Sequence, residues 1–287
     1  NAEKLTKVGS NAFKGVYSKA SIKVPTKKYS AYQKLFKNKG QGKKVSIVIQ
    51  AKKGDTFTVG NNKYKITGSS SVEFTGLKNT KKTEVSIPKT VKYGGKTFKV
   101  TVIADKALKG NKKVKKITIG EYVKEIEAYA FYGCKNLKSV TIANSVTTFG
   151  EGLFYQCSSL ESIQIPNKVS VIPMGCFAEC YALKNVTLGQ VKELQSYAFQ
   201  NCSIANITLP KTLTNLDSLA FYNTLVENYV VESGNSTYSS KDGVVYTDGG
   251  KTLVLYPIGK NTASFSIPSG VTKVGNYAFY CATKFRL

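Results

Sequence analysis

From Val114 onward the apolar positions recur at steps of 3, 2, 4, 3, 5, 3 and 3 residues, a period of 23. One pass reads Val114, Ile117, Ile119, Val123, Ile126, Phe131 and Cys134. The next reads Leu137, Val140, Ile142, Val146, Phe149, Phe154 and Cys157, and a third runs from Leu160 through Phe177 to Cys180. The rule carries on to Phe221. A fixed period of this length belongs to a solenoid, whose units bury their apolar faces only against their neighbours. Each unit opens with an alternating stretch such as Val140-Thr141-Ile142, Ile163-Gln164-Ile165 or Ile207-Thr208-Leu209, which predicts a strand with one buried face. Stacking the units pairs these strands into a parallel sheet with a spacing of about 4.8 Å. A second apolar pair follows, Val146 with Phe149 or Leu213 with Leu216. The chain then passes a segment, Ala130-Phe131-Tyr132-Gly133-Cys134, with room for only one turn of α or 3₁₀ geometry. The predicted class is mostly β: a solenoid of 23-residue coils with a parallel sheet, short helical turns and inserted hairpins.

The interruptions are as informative as the rule. Val85, Ile87 and Val91 are in phase, but Ile103 follows Val91 by 12 positions instead of 3, and the extra residues around Gly94-Gly95 predict a hairpin. Phe221 and Phe279 stand 58 residues apart where one period accounts for 23. Inside that stretch Val244-Val245-Tyr246 and Leu253-Val254-Leu255-Tyr256 flank Asp248-Gly249-Gly250, a second hairpin. Near the start, Leu5, Val8 and Phe13 match the latter half of a repeat. Ser21 to Pro25 then reads as a strand and Lys27 to Lys37 as a short helix with Tyr29, Tyr32 and Phe36 on one face, stopped at Gly40. One array is expected to finish by about residue 50 and another to begin near Asp55. The expected segments are a terminal half-repeat with a strand-helix cap (1–50), a β-rich start of the second array (51–82), the main repeats (83–224), an inserted hairpin region (225–264) and a truncated last repeat (265–287). The pattern is cut at both ends, which predicts a piece of a longer protein. Cys281 comes one position earlier than the repeat requires, so the last coil is expected to be irregular.

The string Tyr-Ala-Phe-x-x-Cys-x-x-Leu-x-x-Val-x-Ile at 129–142, repeated in degenerate form through Phe221, resembles the BspA-like leucine-rich repeat family of bacterial cell-surface proteins. The likeness covers about 83–224, and the Asn228 to Phe279 stretch resembles that family's long repeat with its inserted hairpin. The strand-helix unit before residue 50 resembles the terminal cap of such an array. The resemblance implies an extracellular or cell-surface protein with a non-catalytic binding or adhesion role. Its partner would be a host or bacterial surface protein or a glycan, with no particular ligand indicated.

Charge adds a second possibility. The net +25 is uneven: residues 1–116 hold 29 Lys against 5 acids, and residues 117–287 hold 12 Lys and one Arg against 12 acids. The lysines of the first half either solvate edges and block unwanted strand pairing, or form an electrostatic footing for an anionic polymer such as teichoic acid, an acidic glycan or a lipid surface. The latter makes the chain a structural spacer or cell-wall-binding segment held by residues 1–116. Nucleic acid is disfavoured, because Arg, suited to base edges and bidentate phosphate contacts, occurs once, at Arg286. No apolar run approaches the 18 residues of a membrane span, and no signal peptide is present in this stretch of chain.

No His occurs, which removes Ser-His and Cys-His nucleophile pairs and the usual zinc triads. Glu125 and Glu127 read as a solvated face rather than as paired glycosidase acids, and Gly249-Gly250 lacks the Lys-Ser/Thr of a phosphate loop. No enzyme, metal or cofactor is expected. Cys134, Cys157, Cys180 and Cys202 share one slot of successive coils, where parallel Cβ vectors make a disulfide awkward. They read as buried free thiols acting as small apolar fillers, and Cys176 with Cys180 is the one local pair open to a ligand or redox role. The candidate binding surface is the outward side of the sheet, where Thr118, Thr141, Gln164, Thr187 and Thr208 line up beside Lys116, Ser139, Ser162, Asn185 and Asn206. Such rows suit a sugar or an extended peptide, although Thr is also simply favourable on a wet strand face. Tyr132, Tyr155, Tyr222 and Tyr280 follow the repeat Phe and form either an exposed aromatic ridge or a packed rim.

Overall fold

The computed structural model describes residues 4–282; residues 283–287, Arg286 among them, lie outside it. Strands β1 (Ser21–Pro25) and β2 (Ser46–Gln50) pair in parallel, which requires a crossover, supplied by helix α1 (Tyr29–Leu35). Tyr32 and Phe36 turn inward with Val24, and Phe13 meets Phe36 edge-on at 5.1 Å. Next come β3 (Thr56–Val59), β4 (Asn62–Ile66) and β5 (Ser71–Leu77), an antiparallel meander. β6 (Glu84–Ile87) opens the first coil, and β7 (Thr90–Tyr93) turns through Gly94-Gly95 into β8 (Lys96–Ile103), the hairpin expected from the sequence. β8 also runs parallel to β5, so the meander covers that end of the array.

Gly94 and Gly95 have φ of 57° and 73°, the left-handed pair that a two-residue turn between twisted strands requires. A Cβ on Gly94 would also strike Ile49. At this turn the N-terminal unit meets the array: the Ile49 amide donates to the Gly94 carbonyl at 2.9 Å, and the rings of Tyr29 and Tyr93 meet at 5.2 Å.

Each following coil contributes two strands. They are β9 (Lys116–Ile119) and β10 (Glu125–Ile126), β11 (Ser139–Thr141) and β12 (Thr148–Phe149), then β13 (Ser162–Gln164) and β14 (Val171–Ile172). β15 (Asn185–Thr187), β16 (Glu193–Leu194), β17 (Asn206–Leu209), β18 (Asn215–Leu216) and β19 (Asn228–Val231) continue the series. The first strand of each coil builds the expected parallel sheet, but in three stretches, β6-β9-β11, β13-β15 and β17-β19. Between β11 and β13 the main-chain link thins to the Glu161 amide donating to Lys138 at 3.5 Å, and these two coils are held instead at the turn, where the Phe154 and Gln156 amides donate to Cys176 and Ala178 at 2.8 and 2.9 Å. The apolar pair read from the sequence forms a second parallel ladder, β8-β10-β12 and β14-β16-β18, on another face of the coil.

Coil length also changes along the array. Ser162 pairs with Asn185, 23 residues on, whereas Val171 pairs with Glu193 and Asn206 with Asn228, 22 residues on. The step from Leu188 to Val191 is 3 instead of 4, and from Cys202 to Ile204 it is 2 instead of 3. Both losses fall between strands, so the in-and-out alternation inside each strand is preserved.

The rings of Phe131, Phe154, Phe177, Phe199 and Phe221 stack one per coil, with successive centroids 5.3, 5.2, 5.2 and 5.4 Å apart. Beside them a second file joins each coil to the one before it. The thiols of Cys134, Cys157, Cys180 and Cys202 donate at 3.2 Å to the carbonyls of Leu108, Phe131, Phe154 and Phe177. Thr224 takes the same slot and donates to Phe199. A small side chain with one donor fills this position and adds a bond between coils to a carbonyl that already accepts an amide of its own turn, as Phe131 accepts from Cys134 at 3.1 Å. Burial pushes the Cys134 thiol up to about 12 and raises Cys157, Cys176, Cys180 and Cys202 well above the usual thiol range. Cys176 and Cys180 are both buried and unbridged.

The last coil is displaced as its spacing implied: Ala282 takes the slot position, its amide donating to Phe279 at 3.0 Å, and Cys281 moves to the preceding left-handed position at φ 67°. Before it the inserted region folds as β20 (Tyr238–Lys241), β21 (Val244–Thr247) and β22 (Thr252–Leu255), with β22 parallel to β23 (Lys273–Val274). The Asp248-Gly249-Gly250 turn sits where the sequence put it, at φ of 55°, 65° and 93°. Strand β20 was not legible.

Phe177→Ala, which leaves a hole between two rings, should lower the unfolding free energy by about 3–5 kcal/mol in denaturant titration. Maleimide at neutral pH should label Cys281 alone in the folded chain and all six thiols after unfolding; rapid native labelling of Cys157 or Cys180 would contradict the packing. Because the folded state holds the buried thiols protonated above the 9.0 at which they ordinarily ionise, their stabilisation is intact below that pH and is lost as pH rises. The denaturation midpoint should therefore fall above that pH, and fall less in the Cys157→Ala, Cys180→Ala double variant.

Candidate functional site

Parallel pairing in register turns alternation along each strand into rows across the sheet. Lys116 pairs with Ser139 and Thr118 with Thr141; Ser162 pairs with Asn185 and Gln164 with Thr187. Asn206 and Thr208 stand on the next strand, β17, opposite Asn228 and Val230 of β19. All ten residues proposed from the sequence are exposed, while their neighbours Ile117, Ile163 and Ile207 are buried. The rows run further than expected, to Glu84 and Ser86 at one end and Asn228 and Val230 at the other. The hairpin insertion and the 22-residue step hid these ends.

The hydroxyls and amides of these rows differ from those elsewhere on the coil. Off the sheet face, Ser145, Thr147, Ser158, Ser203, Thr212 and Thr214 each donate to a carbonyl of the preceding coil, at 2.6–3.4 Å. Among the described residues, the side chains of Thr118, Ser139, Thr141, Ser162, Gln164, Asn185, Thr187, Asn206 and Thr208 make no hydrogen bond within the chain. Their bonding capacity faces outward. The adjacent Lys138–Glu161 pair, at 3.8 Å and well exposed on both sides, contributes little.

The tyrosines form two pairs rather than one ridge. Tyr132 and Tyr155 approach to 5.3 Å and Tyr222 and Tyr280 to 5.5 Å, but the equivalent positions between them are Ala178 and Gln200. Other tyrosines join them: Tyr129 packs edge-on against Tyr132 at 6.1 Å, and Tyr277 against Tyr280 at 5.5 Å. The Tyr129 hydroxyl donates to Glu151 at 3.0 Å and the Tyr155 hydroxyl to Glu179 at 3.1 Å. The bond to Glu151 raises the pKa of Tyr129, while burial first and Glu179 second raise that of Tyr155. Lys99, Lys106 and Lys109 lie over Tyr122, Tyr129 and Tyr132 at 5.0, 5.9 and 5.0 Å. This file of lysines against tyrosines could be found from sequence only by knowing that residues 23 apart touch.

The basic half keeps most of its charge unopposed. Among the described residues the ion pairs are Lys65–Glu73, Lys89–Glu121, Lys106–Asp105 and Lys138–Glu161. No cluster of three or more metal-ligating side chains occurs among them, and no described helix is long and apolar enough to cross a membrane.

Solved structures share this architecture. A leucine rich cell surface protein from Faecalibacterium prausnitzii superposes with a TM-score of 0.61 at 23% identity, over 80% of this chain and 69% of that one. The pneumococcal vaccine antigen PcpA superposes with a TM-score of 0.69 at 25% identity, over 80% of this chain; the chain spans 62% of PcpA's length. Among curated proteins none matches in sequence. The model of the BspA type leucine rich repeat region matches in six copies, over residues 2–99, 101–227 and 258–286, so the chain belongs to that family.

Proposed function

We propose that this array is a non-catalytic binding or adhesion module of a secreted or surface-attached bacterial protein, and that it holds a protein or glycan on the outward side of its first sheet. The observation that carries this is the contrast among hydroxyls. Six hydroxyls on the bends bond to the neighbouring coil, whereas among the described residues none of those in the sheet rows has a partner within the chain. A surface of unspent donors and acceptors repeated coil after coil suits an extended ligand held by many weak contacts. The surface character of family relatives with the same fold, one of them described as a cell surface protein and another as a vaccine antigen, supports the location.

A second reading rests on a separate observation, the concentration of unopposed lysine in residues 1–116. It makes the chain a spacer or wall-binding segment in which the basic body holds an anionic polymer, and its binding would weaken steeply with salt.

The two are told apart on the whole chain. The triple variant Thr141→Glu, Gln164→Glu, Thr187→Glu should abolish capture of an immobilised matrix protein or neutral glycan, with thermal unfolding unchanged. That capture should persist at about 1 M salt, where screening cuts charge effects to roughly 3 Å. Capture indifferent to the triple variant, or confined to polyanions at low salt, would overturn the sheet-face reading.

A further inference from the structure

The file of donors described above begins with a residue that does not fit it. The slot filled by Cys134, Cys157, Cys180, Cys202 and Thr224 is occupied in the preceding coil by Asn111. Each downstream side chain donates to the carbonyl of the coil before it. Asn111 has no such carbonyl, because the chain before it is the antiparallel meander that ends at β5 and not another coil turn. Its Oδ1 accepts from the amides of Lys113 and Val114, at 2.9 and 3.2 Å, which fixes the other atom as the amide nitrogen. That Nδ2 is the one buried side-chain nitrogen or oxygen without a partner among the described residues, on a side chain only 8% exposed. Buried donors are almost always satisfied, so an orphan calls for a cause.

Asn111 lines an open cleft of about 410 Å³ between the end of β5 and the turn at residues 107–113. Lys63, Lys109, Lys112 and Lys113 stand around the same cleft, and no Asp or Glu lines it. Thr80 adds a hydroxyl at the rim. Four like charges around an amide that can only donate make a place for an oxygen anion and repel a cation. The cleft opens beside an aromatic surface: Lys109 lies over the Tyr132 ring at 5.0 Å, and that ring meets Tyr155 at 5.3 Å. Amphipathic rings next to an anion site fit a sugar or polyol better than a bare ion.

We propose that this cleft binds a phosphate or carboxylate group borne on a carbohydrate or polyol chain, with Asn111 Nδ2 and Lys63, Lys112 and Lys113 as donors and Tyr132 as the platform for the adjoining ring. The inference is separate from the sheet rows and deepens the wall-binding reading, on which it rests, by giving the basic body one specific site.

The test measures binding of the whole chain to polyglycerol phosphate, polygalacturonate and neutral dextran by calorimetry at moderate salt. Saturable binding to either anionic polymer and none to dextran is expected, and the preferred polymer distinguishes phosphate from carboxylate. Asn111→Asp keeps the Oδ1 that accepts from the Lys113 and Val114 amides and removes the orphan donor. It should weaken binding at least about tenfold, the worth of one hydrogen bond to a charged group. Lys112→Ala with Lys113→Ala should weaken binding at least as much, while Lys14→Ala with Lys19→Ala, the same change in charge on the other unit, should leave it nearly unchanged. Equal losses from the two lysine pairs, with Asn111→Asp silent, would uphold wall binding by diffuse charge and overturn the cleft. Binding to dextran, or to no polymer, would overturn it as well.

Discussion

No coil of this chain has a core of its own, and every other feature follows from the way it borrows one from its neighbours. The borrowing is done by two adjacent files: a phenylalanine ring lying on the ring of the coil before, and a thiol or hydroxyl bonded to that coil's carbonyl. Stacked turns need a polar tie from one to the next, and a large apolar group needs another to lie against. One residue of each kind per turn meets both needs. This arrangement tolerates coils of 22 or 23 residues, because the two files register on the turn while a lost residue is taken up between strands.

The same economy decides which surfaces remain for partners. Several hydroxyls on the bends, Thr147 and Thr214 among them, serve the stack and are committed; those on the first sheet stand beside a main chain that pairs through the ladder, and they face solvent. The first sheet is therefore the long surface whose chemistry is not taken up by folding. The basic half is shaped differently, by a meander and a strand-helix unit whose lysines have few acids to answer them. A family defined by its repeat thus presents two unlike faces in one chain: a neutral hydroxyl and amide surface along the coils, and a cationic body beside them.

Much of this was legible one residue at a time. Phe131, Phe154 and Phe177 announced their stack by spacing, Gly94-Gly95 and Asp248-Gly249-Gly250 announced their turns by composition, and Thr141 and Gln164 announced their exposure by lying between buried neighbours. Other features had no local signal. Two-residue strands such as Glu125–Ile126 and Thr148–Phe149 are too short to show alternation, so the second ladder looked like an isolated apolar pair. Strand Tyr238–Lys241 carries Tyr-Ser-Ser-Lys, which has no apolar rhythm, and is a strand because Val244–Thr247 lies beside it. Thr224 carries no thiol to mark it, and only its bond to the Phe199 carbonyl shows that it fills the slot of Cys202 in its coil.

The chain by itself determined the winding, the identity of the buried files and which strand residues look outward, because these depend on spacing and side-chain size, both written in the order of residues. Only the tertiary structure decided that the tyrosines fall into two separate pairs, that the parallel sheet is broken into three stretches, and that Asn111, in the wall of a lysine-lined cleft, is left with a donor without a partner. Those outcomes depend on which coil lies above which and on what is missing from the coil before, and a contact between residues 23 apart has no trace in either residue taken alone.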